Sequence, residues 1–231
     1  MKISKKILFI TAILALTSSV FAKEKETSVE NEYLNDVDSE IITSLADSDE
    51  LDNKILALQY LSDAIESGNT STQILAALDK LAGEGISNQA RTNGRLVNNY
   101  PEVRRQACLL LAKVPTEHSK NTLISVAITD NEPMVISAAV KSLGEIGINT
   151  NDEAVEAIAF ATKRNAVLNP TSSLALEVVT AYEKLSETTT NQKIIINSLT
   201  QIGSNYRYAT PVRDKAKKLL KKLSSSGSSG K

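Results

Sequence analysis

The 231-residue chain has no tryptophan, one cysteine and one histidine, and aromatic side chains make up only 4% of it. One Cys and one His exclude an internal disulfide framework, a zinc finger and any Cys/His metal cage. The shortage of large rings leaves Ala, Leu, Ile and Val to fill the interior, which suits thin helical layers better than a thick sandwich. Nine Gly and five Pro are too few for a fibrous or disordered chain, whereas 42% hydrophobic residues suffice for a globular core. Catalytic signatures are missing too. There is no Gly-x-Ser-x-Gly elbow and no phosphate-binding Gly-rich Lys motif, and Gly83-Glu84-Gly85 alone is too little for a nucleotide. His118 follows Thr116-Glu117 at a helix start, where a capping or surface role fits better than base chemistry. The acids Asp47, Asp49, Glu50 and Asp52 lack the spaced Gly and terminal Glu of a calcium loop. The expectation is a protein that is not an enzyme and uses no cofactor and no metal.

Long apolar runs are also scarce. Lys2, Lys5 and Lys6 precede the apolar stretch Ile7 to Leu16, and Val20-Phe21-Ala22 offers small or apolar residues for a peptidase, so residues 1–22 read as a signal peptide cut after Ala22. The run is shorter than the roughly 20 residues that a bilayer demands. Residues 23–36 then form an acidic disordered leader, and the protein is expected to be exported, periplasmic or secreted. Removing the three leader lysines takes the formal net charge from −1 to −4, which together with export argues against nucleic acid as partner. Charge is uneven along the chain: Lys23 to Glu66 carries a net −10, and Pro211 to Leu223 a net +5. A monomer is expected; these ends nevertheless invite head-to-tail self-association, although solvated charge alone accounts for them. Cys108, within an apolar helical stretch, is expected to be buried.

One helical pattern recurs. Pro101-Glu102-Val103 with Ala107 and Leu111 returns as Pro133-Met134-Val135 with Ala139 and Leu143. Pro211-Val212-Arg213 with Ala216 and Leu220 is a third copy, and Pro170 opens a weaker one with Val178, Ala181 and Leu185. Proline suits a first helical turn because its missing N–H would have had no partner there. The Val, Ala and Leu lie on one face, and the small Ala lets a neighbouring helix come close. Second helices alternate with these, with stripes at Ile74, Leu75, Leu78 and Leu81, at Leu123, Ile124, Ala127 and Ile128, at Val155, Ile158, Ala159 and Thr162, and at Ile195, Ile196, Leu199 and Ile202. Asn149 or Thr150 is a candidate N-cap. No segment sustains a period of two, so the chain reads as an array of helical hairpins over residues 37–223, with a flexible Ser/Gly tail at 224–231.

The residues Pro101-Glu102-Val103-Arg104 with Ala107 and Leu111, and Asp130-Asn131-Glu132-Pro133 with Val135, Ala139, Leu143, Gly144 and Gly147, resemble the HEAT-repeat family and its armadillo and PBS-lyase-type relatives. The resemblance covers Leu51 to Leu223. It implies an all-α fold, a right-handed α-solenoid of about four to five hairpins, used mainly to bind proteins. The function expected is an exported scaffold in the cell envelope. An accessory or chaperone-like factor for an enzyme, and a membrane-surface protein acting through the basic helix 212–223, are the alternatives.

Two surfaces qualify for a protein partner. The first is the long connection from Gly83 to Asn99, whose Arg91, Arg95 and Tyr100 are followed by Arg104 and Arg105. Such donors grip carboxylates, although Arg104 equally suits an internal capping bond between repeats. The second is the face of the second helices, with Lys120, Asn121, Glu156, Lys163, Gln192, Asn197 and Gln201. Long connections carry function more often than stability, which favours the first.

Overall fold

The computed structural model describes residues 29–226; the signal-peptide reading of 1–22, the beginning of the acidic leader and residues 227–231 lie outside them. Among the described residues ten α-helices follow one another: α1 (Val29–Asp47), α2 (Leu51–Glu66), α3 (Thr72–Ala82), α4 (Pro101–Leu111), α5 (Glu117–Thr129), α6 (Pro133–Ile146), α7 (Glu153–Leu168), α8 (Ser172–Leu185), α9 (Gln192–Ser204) and α10 (Thr210–Ser226). The only strands among the described residues are β1 (Arg91–Thr92) and β2 (Arg95–Leu96), an antiparallel pair inside the 83–99 connection. The chain divides into units 1–36 and 37–231, and the packing described below is that of the second.

Hydrophobic spacing explains the helices. Val103, Ala107 and Leu111 of α4 are buried, as are Val135, Ala139 and Leu143 of α6 and Val178, Ala181 and Leu185 of α8. Pro101 and Pro133 open their helices as expected. Pro170 does not: α8 starts at Ser172, after Thr171 caps it by accepting from the Leu174 amide at 3.4 Å. Thr116 caps α5 in the same way through the Ser119 amide. Cys108 is fully buried, as expected.

The helices form two layers. The first helices α2, α4, α6, α8 and α10 pack against one another in order, and so do the second helices α3, α5, α7 and α9. The chain is thus an all-α solenoid of four hairpins, with α1 before the first and α10 after the last. The backbones of α6 and α8 approach closely: a Cβ added at Gly144 would stand 2.7 Å from the Ala181 Cα.

Both ends of the expected repeat domain differ from the sequence reading. The leader is helical from Val29, because Glu is a good helix former and its charge hides the helical period in a composition count. The tail continues α10 to Ser226, with Ser224 Oγ donating to the Leu220 carbonyl at 2.9 Å, a local bond that lets serine remain helical.

Candidate protein-interaction site

Because first and second helices run in opposite directions, the solenoid has two edges. One collects the turns inside each hairpin, at 67–71, 112–116, 147–152 and 186–191. The other collects the connections between hairpins, at 83–100, 130–132, 169–171 and 205–209.

The first edge is held by lysines, carboxylates and hydroxyls. Lys113 Nζ donates to Glu66 at 2.8 Å, and Lys120 Nζ reaches Glu117 and Glu153 at 2.6 Å each. Burial alone would make Lys120 less basic, but its bonds to the two glutamates outweigh that and raise its pKa. Asp152 is the hub. Thr189 Oγ donates to it at 2.7 Å, the Thr190 and Asn191 amides at 3.0 Å, and Asn149 Nδ2 at 3.0 Å. The Thr190 hydroxyl donates as well. Led by the Thr190 and Thr189 hydroxyls, these donors hold the Asp152 carboxyl down at about 2. Asn149 Oδ1 also accepts from the Val155 amide, but the N-cap position of α7 is Asp152 rather than the expected Asn149 or Thr150, because a short 3-10 turn at Thr150–Asp152 precedes the helix.

The second edge belongs to arginine. All seven arginines of the chain fall in these connections or within about a turn and a half of them: Arg91, Arg95, Arg104, Arg105, Arg164, Arg207 and Arg213. Three are consumed internally. Arg104 is 0% exposed; its Nε donates to Asp130 at 2.6 Å, and its Nη1 donates to the Glu84 carbonyl at 3.0 Å and Asn99 Oδ1 at 2.9 Å. Arg105 forks onto Glu102, whose carboxyl that hydrogen bond drives down to about 2. Arg164 donates to the Ile128 and Asp130 carbonyls and lies over the Phe160 ring. The other four pair with no carboxylate among the described residues. Arg91 bonds only Gln89 and the Gly94 carbonyl, Arg213 bonds Thr210 and stacks 5.0 Å from the Tyr206 ring centroid, and Arg95 and Arg207 are exposed.

The expectation that Arg104 meets a partner is therefore corrected. Its buried charge ties the end of the 83–99 connection to the α5–α6 turn. Lys120 is likewise 1% exposed and locked by two glutamates, so it does not belong to an open surface. Tyr100 is half-buried, and its hydroxyl donates to the Asp49 carbonyl at 3.3 Å. Asn121, Glu156, Lys163, Gln192, Asn197 and Gln201 are all exposed on second helices. The structure keeps them on a different surface from Arg91 and Arg95, which project from the small hairpin. A groove between α3 and α5, lined by Asp79, Ile86, Thr122, Ser125 and Thr129, opens on that second-helix layer. His118 stands at its rim with Nε2 2.6 Å from Asp79, an exposed surface contact. The 83–99 connection is not loose: buried Asn98 bonds Glu84 Oε1 and the Asn88 carbonyl at 2.6 Å each, and buried Lys54 meets Glu84 at 2.9 Å.

The apolar stripe of the basic helix, for which a membrane surface was the alternative, packs on the array: Val212, Ala216, Leu219 and Leu223 of α10 are buried against α8 and α9, and Leu220 is partly buried. Among the described residues no helix is long and apolar enough to cross a membrane, and no group of three or more His, Cys, Asp or Glu side chains is placed to hold a metal ion.

A family model described as HEAT repeats matches residues 94–168, from β2 through α7. No curated protein matches the chain. The match and the ten packed helices fit a HEAT-repeat helical protein.

Proposed function

We propose that this HEAT-repeat chain is a non-enzymatic, exported scaffold that binds a protein partner of the cell envelope along its arginine edge. HEAT repeats generally mediate protein–protein interaction, which supports the coarser part of this reading. Its location rests on four guanidiniums, Arg91, Arg95, Arg207 and Arg213, that share one edge and form no ion pair with a carboxylate among the described residues. Arginine is enriched at interfaces because its planar fork pairs two donors with a carboxylate and sheds water readily. Export rests on the basic and apolar leader of residues 1–22.

The test places a photo-crosslinking side chain at Arg95, at Arg207, or on the second-helix layer at Asn121 or Gln201, in cells that make the full chain. Cross-linking to one discrete protein from positions 95 and 207 is the expected result. Cross-linking from 121 and 201 alone would move the site to the second helices and overturn the edge assignment. N-terminal sequencing of the mature protein tests export, and retention of Met1 would refute it.

A further inference from the structure

The arginine edge has a second property that charge does not require. It carries an exposed large apolar side chain in, or within two residues of, each of four successive connections: Val97 at 43% exposure, Met134 at 44%, Val167 and Leu168 at 74% and 72%, and Tyr206 at 88%. At the opposite edge, the turns 67–71, 112–116, 147–152 and 186–191 and the two residues on either side of each have none among the described residues. Isolated exposed apolar residues need no explanation, but a row confined to one of two otherwise equivalent edges does. Tyr206 is also held in place, because the Arg213 guanidinium stacks on its ring.

Packed helices lie about 8–10 Å apart, so the row advances by roughly 10 Å per hairpin and about 30 Å over its three steps. An α-helix rises about 1.5 Å per residue, so a step corresponds to about seven residues, close to two full turns, and a helical occupant returns the same face to every anchor. Full coverage takes a helix of about 20 residues. Arg91 and Arg95 flank the row at one end, and Arg207 at the other.

We infer that the arginine edge is a docking surface for an acidic amphipathic helix of a partner protein. The apolar side chains of that helix recur about every seven residues, and its Asp and Glu flank them. This rests on the scaffold reading above and names the partner's chemistry. Apolar anchors fill the spaces beside Val97, Met134, Val167 and Tyr206, and the flanking carboxylates take the unpaired guanidiniums. Burying both kinds of contact together is what gives an interface its specificity.

The experiment uses the full chain and three fluorescent 21-residue peptides. The first is a Glu/Ala helix with Leu at every seventh position, the second the same helix with Ala in place of Leu, and the third the Leu helix with Lys in place of Glu. Fluorescence anisotropy should show the first bound at least about tenfold more tightly than either control. Arg95→Glu with Arg207→Glu should abolish that preference, and so should Val167→Ser with Leu168→Ser. All these positions are exposed, so circular dichroism melts should stay unchanged and separate lost binding from lost folding. Equal binding of the three peptides, no binding of the first, or indifference to either double substitution would overturn the inference. If position 95 still cross-links a cellular protein while the first peptide fails, the partner's chemistry is wrong and the edge assignment stands. If the peptide binds while positions 95 and 207 cross-link nothing, the edge has the stated chemistry and the scaffold reading fails.

Discussion

Arg104→Met separates a structural arginine from a recognition arginine. The wild-type guanidinium reaches both Asp130 oxygens, Nε at 2.6 Å and Nη2 at 3.3 Å, and each side chain is 1% exposed. Removing it leaves Asp130 charged and buried with only the Glu132 amide at 2.8 Å among these donors. It also strips a donor from the Glu84 carbonyl and from Asn99. Breaking one side of a buried pair typically costs about 3–5 kcal/mol, because the surviving charge loses its compensation. Against a total stability of about 5–15 kcal/mol, the single substitution should bring the array close to unfolding at ambient temperature.

Urea denaturation followed by circular dichroism at 222 nm gives the number, and a double-mutant cycle identifies its source. Asp130→Asn alone should also destabilise, because the buried guanidinium then faces no countercharge. Arg104→Met with Asp130→Asn should cost less than the sum of the two, with a coupling energy of about 1–3 kcal/mol. Arg104→Lys should fall between wild type and Arg104→Met, since an ammonium keeps the charge but not the fork. A parental melting curve for Arg104→Met, coupled with loss of the cross-linked partner, would refute the burial argument and return Arg104 to the binding surface.

Asp152→Asn tests the other edge. The folded pKa of about 2 lies below the ordinary aspartate value of 3.8. The ionised Asp152 therefore contributes roughly 2 kcal/mol that is fully present above about pH 4 and fades as pH falls toward 2. The variant should be less stable than wild type at pH 7, and the gap should shrink in urea melts at pH 2; a constant gap would refute the assignment. Gly144→Ala should lower stability by about 1–3 kcal/mol, because its Cβ meets the α8 backbone, and a melting temperature at or above the parent's would show that the layers yield. Burial pushes the Cys108 thiol up to about 12, so a disulfide reagent at pH 8 should leave it untouched until denaturant is added; rapid native labelling would contradict its burial.

The layers were legible in the sequence because helical period and burial coincide there: Val103, Ala107 and Leu111, or Ile195, Leu199 and Ile202, point inward by spacing alone. The buried charges were not, because residue type places Lys54, Glu84 and Lys120 outside until their partners are known. Nor did spacing reveal Tyr182, whose hydroxyl donates to Ser198 at 3.1 Å in a fully buried position, since one aromatic on an apolar stripe looks like any other. The small β1–β2 hairpin escaped because two residues per strand are too few to show alternation. One signal was available. The copies beginning at Pro101 and Pro133 are 32 positions apart, and the polar ladder repeats at nearly that interval, from Glu117 to Thr150, Lys120 to Glu153, and Arg164 back to Asp130. In a solenoid a polar residue one repeat from a complementary one sits beside it in space, because each hairpin contacts its neighbours. Pairing charges at the repeat interval therefore assigns Lys120 to structure from residue types alone. The same step sets Arg213 of α10 opposite Ala181 of α8, which offers no acid. It misleads at Arg95, where Asp63 stands at the right interval: Asp63 belongs to α2, but Arg95 belongs to the long connection between hairpins, where the repeat interval does not place neighbours in space. The interval therefore assigns a charge to structure where it finds a partner and decides nothing where it finds none: Arg104 has Thr72 and Ile136 at that step, yet it is buried against Asp130, 26 positions away, because its partner lies in the connection before the next repeat rather than in the equivalent helix.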